Sequence, residues 1–367
     1  MSFPPDRKIK SEPQVDLAAL AVLDAQIDAK VVGEPKYDFD ELSEASGWPV
    51  EQLAELCLWS GTPPAAPGER VYGDLDATGL IRLRKFAERE NFDDETIGTL
   101  ARSISYSMER LALTQVESIV NRLARSGLTD TAARVAAAEY APTQSEAIFE
   151  QIGVLWRRHY AAAIHRLTTE TILLRGVSDD DRQFPLIVGV GYAKVVDFTE
   201  HTANFSVIEY ANFVQDFNNR AADIVNANGG RVVKLMGDTV VWVTAHADAS
   251  AEIALQLSHM ADDGVSAELQ TAVTWCRVMS LHGDLFGPGV NLAAKLAELA
   301  PAGGVFIDDA AAGQFVRNPR FRITPQPGIE IKGLGKVRPW ILQDATGTIS
   351  DATLTVVPEP AILEVDA

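Results

Sequence analysis

Arg231-Val232-Val233-Lys234-Leu235-Met236-Gly237-Asp238-Thr239-Val240-Val241-Trp242-Val243 is the stretch whose reading decides the fold of the second half of this chain. Strand-forming residues dominate both sides of a Gly-Asp pair, the composition of two strands joined by a tight turn. The run predicts a hairpin with strands over 231–234 and 239–244. Forty-four residues upstream of Asp238 (238 − 194 = 44) stands Lys194, inside Tyr192-Ala193-Lys194-Val195-Val196-Asp197-Phe198-Thr199. A cation there faces the question of which anion it meets.

Working outward, β-branched runs predict further strands over 186–193, 269–278, 305–307 and 321–323, with another pair within 329–341. Between them, apolar residues at helical spacing predict helices over 205–227 (Ile208, Phe213, Phe217, Ile224), 247–260 and 290–299. One tight hairpin among alternating strands and helices suits an antiparallel sheet better than a doubly wound parallel one. The fold class expected for 182–343 is therefore α+β and ferredoxin-like, an antiparallel sheet with helices on one face.

Gly176-Val177-Ser178-Asp179-Asp180-Asp181 is a polar break, and before it the texture is helical. Residues 1–13 are Pro-rich and charged and read as a flexible arm, and 15–27 has helical spacing. Residues 14–142 read as a helical domain and 143–176 as a connecting helix; 344–367 reads as a flexible tail. Ile97, Leu100, Ile104, Met108, Leu111, Val116, Ile119 and Leu123 form a stripe of the kind that normally faces a core. The connecting helix carries Ile148, Ile152, Leu155, Tyr160, Ile164 and Leu167, together with Arg157, Arg158, His159 and His165. That basic face suits solvent, an acidic partner surface or a pH-responsive contact. Within 37–56 two short amphipathic segments, broken by Ser-Gly and restarted by Pro49, resemble a helix-turn-helix. The second bears Glu51 and Glu55 and no base, so a packed helical pair fits it better than a DNA-reading element.

With 367 residues, 47% hydrophobic and 23% charged, the chain is long and apolar enough for two cored domains. Acids outnumber bases 51 to 32, and the net charge of −19 repels nucleic-acid backbones and anionic membranes. No nucleic-acid partner is expected. Cys57 and Cys276 lie far apart without metal-ligand spacing, which fits a reducing compartment. The first residues lack an apolar core of signal-peptide length, and no segment approaches the roughly 20 apolar residues a bilayer span requires, so a cytoplasmic protein is expected.

Four blocks in order carry a family resemblance. They are the Tyr192–Thr199 segment quoted above, Gly229-Gly230-Arg231-Val232-Val233-Lys234-Leu235-Met236-Gly237-Asp238, Gly283-Asp284-Leu285-Phe286-Gly287-Pro288-Gly289-Val290-Asn291-Leu292-Ala293-Ala294-Lys295, and Ile331-Lys332-Gly333-Leu334-Gly335-Lys336. Together they resemble the catalytic domain of class III adenylyl and guanylyl cyclases. The resemblance implies a homodimer whose sites lie between two antiparallel protomers. It implies Mg²⁺ or Mn²⁺ held by two aspartates, of which Asp238 matches the second. Lys234 and Asp284 fall where the family reads adenine, so ATP or a related nucleotide is the expected ligand. Asn291 and Lys295 fall where an asparagine and an arginine contact ribose and phosphates.

The departures are as informative as the matches. Lys194 replaces the first metal-binding aspartate, and an ammonium beside Asp238 would pair with it and take the space of the cations. Asp197 replaces a glycine next to the phosphates; it offers a substitute carboxylate only if the turn is rebuilt. Lys295 lacks the planar fork of arginine. Ala272 and Cys276 stand where two strand glycines are expected. Lys194 has a second reading, in which its ammonium holds phosphate directly.

The expected function is accordingly a degenerate adenylyl cyclase-like protein, catalytically impaired, acting as a dimeric nucleotide- or effector-binding regulator or in a heterodimer with an intact cyclase. The layout is similar to actinobacterial soluble adenylyl cyclases with an N-terminal helical regulatory domain. The alternative is an active enzyme converting ATP to cyclic AMP and pyrophosphate under control of that domain. A third reading is a transcriptional regulator using the helix-turn-helix-like segment.

Overall fold

The computed structural model describes residue 23 and residues 27–140, 145–173, 186–260 and 267–345. The arm, the tail beyond 345, the break at 176–181 and most of the helix expected over 15–27 lie outside the described residues. Two compact units divide between Ala163 and Ile164.

The first unit is helical. Asp38 caps α1 (Phe39–Ser46) reciprocally with Glu41, each side chain accepting the other's backbone N–H, and Gly47 ends the helix in the left-handed region. Pro49 then starts α2 (Val50–Trp59). These pack with α3 (Asp74–Glu90) and the start of α4 (Asp94–Arg125) around Leu42, Trp48, Leu53, Leu56 and Ile97. Glu51 and Glu55 are exposed, so the outer face of the helix-turn-helix-like pair is acidic. α5 (Asp130–Tyr140) was not expected: its alanine-rich sequence has no large apolar period, and Asp130 reads as a break, yet Ala133 and Ala137 pack on Val120 and Leu123 of α4.

α4 departs from the expectation that its stripe faces a core. Ile97 and Leu123 are buried, but Leu100, Ile104, Met108 and Val116 are exposed, because among the described residues the apolar clusters that α4 joins lie towards its two ends. In α6 (Ser145–Leu173) no side chain from 146 to 168 is buried. No described helix is long and apolar enough to cross a membrane.

The second unit is built on β1 (Leu186–Val195), flanked by β3 (Thr239–Thr244) and β4 (Leu269–Leu281). The sheet order is β2-β3-β1-β4-β6-β10-β7, with β2 at Arg231–Met236, β6 at Val305–Ile307, β7 at Phe321–Pro325 and β10 at Trp340–Asp344. β5 (Asp284–Phe286) pairs with the end of β4, and β8 (Ile329–Ile331) and β9 (Gly335–Val337) make a separate hairpin. The ladders are antiparallel except β4 with β6. The α+β class holds, but two of its expected details change: the sheet is mixed, and helices cover both faces. A short α7 (Phe198–Thr202) follows β1. α8 (Val207–Ala227), α9 (Ala247–Ser258) and α11 (Asp309–Phe315) pack over Ala193, Val195, Trp242 and Val273. α10 (Pro288–Leu299) covers the opposite face with Val190, Ala272, Val278 and Phe306. The reason is local: β1 is apolar on alternate residues of both faces, so both must be covered.

Gly191 sits opposite Trp242 in the ladder, and a Cβ there would lie 1.9 Å from the indole Cε2. The largest buried side chain of this core therefore lies flat across a glycine. Asp308 caps α11; its Oδ1 accepts the N–H groups of Ala311 (2.9 Å) and Trp275 (3.1 Å). Burial outweighs these donors and pushes its carboxyl up to about 6.

A carboxyl with a raised folded-state pKa holds a proton that the unfolded chain has released, so its contribution to stability is full below about pH 4 and is lost as pH rises through about 6. Asp308→Asn keeps the Oδ1 acceptor and removes this titration. The stability of wild type minus that of the variant should fall by roughly 2 to 3 kcal/mol between pH 4 and pH 7, measured by urea unfolding at each pH.

Candidate functional site

The hairpin read first from the sequence is present. Gly237 takes φ 64° and turns the chain, and the Asp238 carbonyl accepts the Val195 N–H at 2.9 Å, which pins the turn to the end of β1. Lys194 shares the α10 face of β1 with Val190 and Tyr192 and stands opposite Thr239 in register. Its Nζ lies 3.9 Å from Asp238 Oδ2, with 43% and 21% of the two side chains exposed. The other carboxylate oxygen, Oδ1, accepts from Thr239 Oγ1 at 3.1 Å. Asp238 thus faces an ammonium on one side and a hydroxyl on the other.

This donor set does not fit a pair of divalent ions. No group of three or more Asp, Glu, His or Cys able to hold a metal occurs among the described residues. Mg²⁺ needs near-octahedral oxygen ligation, and the lysine brings a positive charge into the position that would have to supply it. Asp197, the possible substitute carboxylate, does not rebuild its turn. It keeps the left-handed conformation natural to glycine, φ 44° and ψ 39°, and its side chain is exposed.

A second charged pair forms on the same hairpin. Lys234 Nζ lies 2.6 Å from Asp284 Oδ2, and Asp284 Oδ1 accepts the Leu285 N–H at 2.8 Å. A register shift between Val232 and Lys234 sets Lys234 opposite Val241, the usual way a bulge re-aims a side chain. Asp284 follows a turn of two left-handed residues, His282 (φ 51°) and Gly283 (φ 80°), whose carbonyl at Gly283 accepts from Arg231 Nη1 at 3.3 Å. Arg231 thereby ties β2 to the β4–β5 turn. Nothing in the local sequence signals that contact.

Asn291 and Lys295 are exposed on α10. Lys295 Nζ binds Glu298 Oε2 at 2.8 Å on its own helix, which raises its pKa, rather than meeting the other residues expected in the site. The i,i+3 spacing made that partner legible. The helix enters through Gly287 and Pro288, and its first turn rests on β4: Thr274 Oγ1 donates to the Gly289 carbonyl at 3.0 Å. A Cβ on Gly289 would lie 2.3 Å from both Cβ and Sγ of Cys276. The thiol is itself pushed up to about 11 by burial.

The family description "Adenylate and Guanylate cyclase catalytic domain" matches residues 185–344. The adenylate cyclase of Glutamicibacter nicotianae is 30% identical over 333 residues, covering 88% of this chain and 83% of that protein. The adenylate cyclase of Streptomyces coelicolor is 28% identical over 376 residues, covering 93% and 96% respectively. Among solved structures, the catalytic core of a rhodopsin-guanylyl cyclase in complex with ATPαS is 22% identical with a TM-score of 0.40, covering 43% of this chain and 96% of that one.

The Gly289–Cys276 contact sets the seat of the helix that carries Asn291 and Lys295. Gly289→Ala should destabilise the protein by about 2 to 3 kcal/mol through overpacking. In a Cys276→Gly background the same change should cost less than about 1 kcal/mol, a coupling read from a double-mutant cycle of thermal unfolding.

Proposed function

The chain belongs to the class III adenylate and guanylate cyclase family, and from that premise we propose that it is a catalytically impaired adenylate cyclase acting as a dimeric, nucleotide-binding regulator in the cytoplasm. The observation that carries this reading is the Lys194 ammonium 3.9 Å from Asp238, where the family brings two carboxylates together. The family reaction joins the ribose 3′-oxygen to the α-phosphorus and expels pyrophosphate, and the charge that builds on the phosphates must be met. Here the residues at that position, an ammonium and a carboxylate, counter one another's charge.

The base-reading half is intact by contrast. The Lys234 ammonium donates and the Asp284 carboxylate accepts, which complements the ring acceptor and exocyclic amino donor on adenine's pairing edge. Asn291 and Lys295 of a second copy would approach the sugar and phosphates. In this reading the helical first unit regulates nucleotide binding, with the apolar residues of α4 that are exposed among the described residues as its contact surface. The same half-site would complete one active site of a heterodimer whose partner supplies two intact aspartates.

A second reading, a slow but genuine adenylate cyclase, is favoured by the 30% identity that spans most of an adenylate cyclase. Cyclic AMP formation by the full-length protein with ATP and Mn²⁺ separates the two. Lys194→Asp combined with Asp197→Gly should raise the rate about 100-fold, ~2.7 kcal/mol of transition-state stabilisation. A wild-type rate equal to that of the variant would overturn impairment.

A further inference from the structure

Ser46-Gly47-Trp48-Pro49, the break in the helix-turn-helix-like pair, has a place in the fold that neither a DNA-reading nor a nucleotide-binding role uses. Trp48 and Pro49, with the adjoining turns of α2, α3 and the start of α4, line a cavity of about 280 Å³. That is just below the roughly 300–1,000 Å³ of pockets that hold drug-sized molecules, so it admits one ring and a substituent. All of it lies in the first unit.

Its lining is graded. Trp48, Ala87 and Ile97 are buried and form an apolar floor, with Phe92 half-buried beside them, whereas Gln52, Asn91 and Glu88 are exposed at the rim. Two hydrogen bonds hold one wall in place. Trp48 Nε1 donates to the Leu80 carbonyl at 3.0 Å, so the indole offers the cavity its apolar ring and no donor. Arg84 donates from Nη1 to the Gly47 carbonyl, and a Cβ on Gly47 would overlap the guanidinium. Glycine at this turn is what lets the arginine lie across it.

The charges at the rim cancel, because Arg84 Nε lies 2.9 Å from Glu88 Oε1. An anion would have to displace Glu88 or stand beside it, and a cation would meet the guanidinium. The side-chain amides of Gln52 and Asn91, by contrast, make no hydrogen bond among the described residues, and each offers an acceptor oxygen and two donor hydrogens. Asn91 is set at the rim by the left-handed backbone (φ 53°, ψ 45°) that ends α3. An aromatic floor below two free amides fits a flat ring that carries both a donor and an acceptor. We infer that this cavity is a binding site for an uncharged, single-ring aromatic molecule bearing a carboxamide or an equivalent donor–acceptor pair. The helix pair then serves as a small-molecule receptor, whether or not the second unit turns over ATP.

Saturation-transfer NMR titrations on the full-length protein test it, with benzamide, benzoate and cyclohexanecarboxamide as probes. Benzamide should bind with a dissociation constant of about 1 mM or tighter, a strength that so small a ligand reaches in a fitted pocket. Benzoate, the same shape with a negative charge, should bind at least about tenfold more weakly. Cyclohexanecarboxamide keeps the amide without the aromatic ring and should bind about fivefold more weakly. Asn91→Gly keeps the left-handed backbone and Gln52→Ala keeps the helix. Together they should weaken benzamide about tenfold while the thermal midpoint stays within about 2 °C of wild type. Benzoate or cyclohexanecarboxamide binding as tightly as benzamide would assign another ligand class and overturn the inference. So would unchanged benzamide affinity in the double variant, which places the probe elsewhere, or no benzamide signal up to about 20 mM.

Discussion

The register of β1 is the constraint on which the site depends. Six residue pairs tie it to β3 and ten to β4, and a one-residue slip in either would turn every side chain to the other face. Such a slip would drive Lys194 into the core lined by Ala193, Val195 and Trp242 and carry Val190 away from α10. Burial on both faces therefore fixes Lys194 at the strand end. The Val195 N–H to the Asp238 carbonyl then brings the hairpin turn alongside. The encounter of ammonium and carboxylate follows from strand packing and needs no attraction of its own.

That attraction is weak. At 3.9 Å with one partner nearly half exposed, the pair is screened by water and lies outside hydrogen-bond range. Its importance is in what it displaces. The three lysines that sequence reading placed in the site all have acidic neighbours: Lys194 with Asp238, Lys234 with Asp284, and Lys295 with Glu298. Cations balanced in this way leave little net field around them, and the Lys234–Asp284 pair is the shortest of the three contacts.

Most of the second unit was legible because its strands are β-branched runs separated by amphipathic helices, and period alone distinguishes the two. The elements that escaped are short or small: β5 with three residues, α7 with five, α11 with seven, and α5, whose contacts are made by alanines. None of them has enough large apolar residues to show a period. The stripe on α4 was legible as amphipathic, but amphipathicity states that a face wants cover and not whether its own chain supplies it. Helices on both faces of the sheet were implied by β1 itself, in which Val190 and Tyr192 alternate with Ala193 and Val195. In the site, the residue types and the Lys194–Asp238 encounter were implied by the family resemblance of the four sequence blocks. The anchoring of Asp284 by Arg231 through a loop carbonyl was not, because backbone acceptors leave no mark in a sequence.

The glycines show how one physical requirement can move between positions. Close approach of α10 to β4 calls for small residues where the two meet, and the row facing the helix on β4 is Ala272, Thr274 and Cys276. Two of these stand where glycines were expected, so the strand gives up space at Cys276. The helix returns it at Gly289, whose missing Cβ would otherwise overlap the cysteine. Thr274 uses the remaining gap for a hydrogen bond to the Gly289 carbonyl rather than leaving its hydroxyl buried and unpaired. The requirement belongs to the contact between strand and helix, and either side can meet it. Asp197 is the opposite case: the backbone keeps the left-handed shape a glycine would take, and the side chain is left exposed. A packing requirement can thus be shared across an interface, whereas a charge placed on an exposed turn stays where the chain puts it.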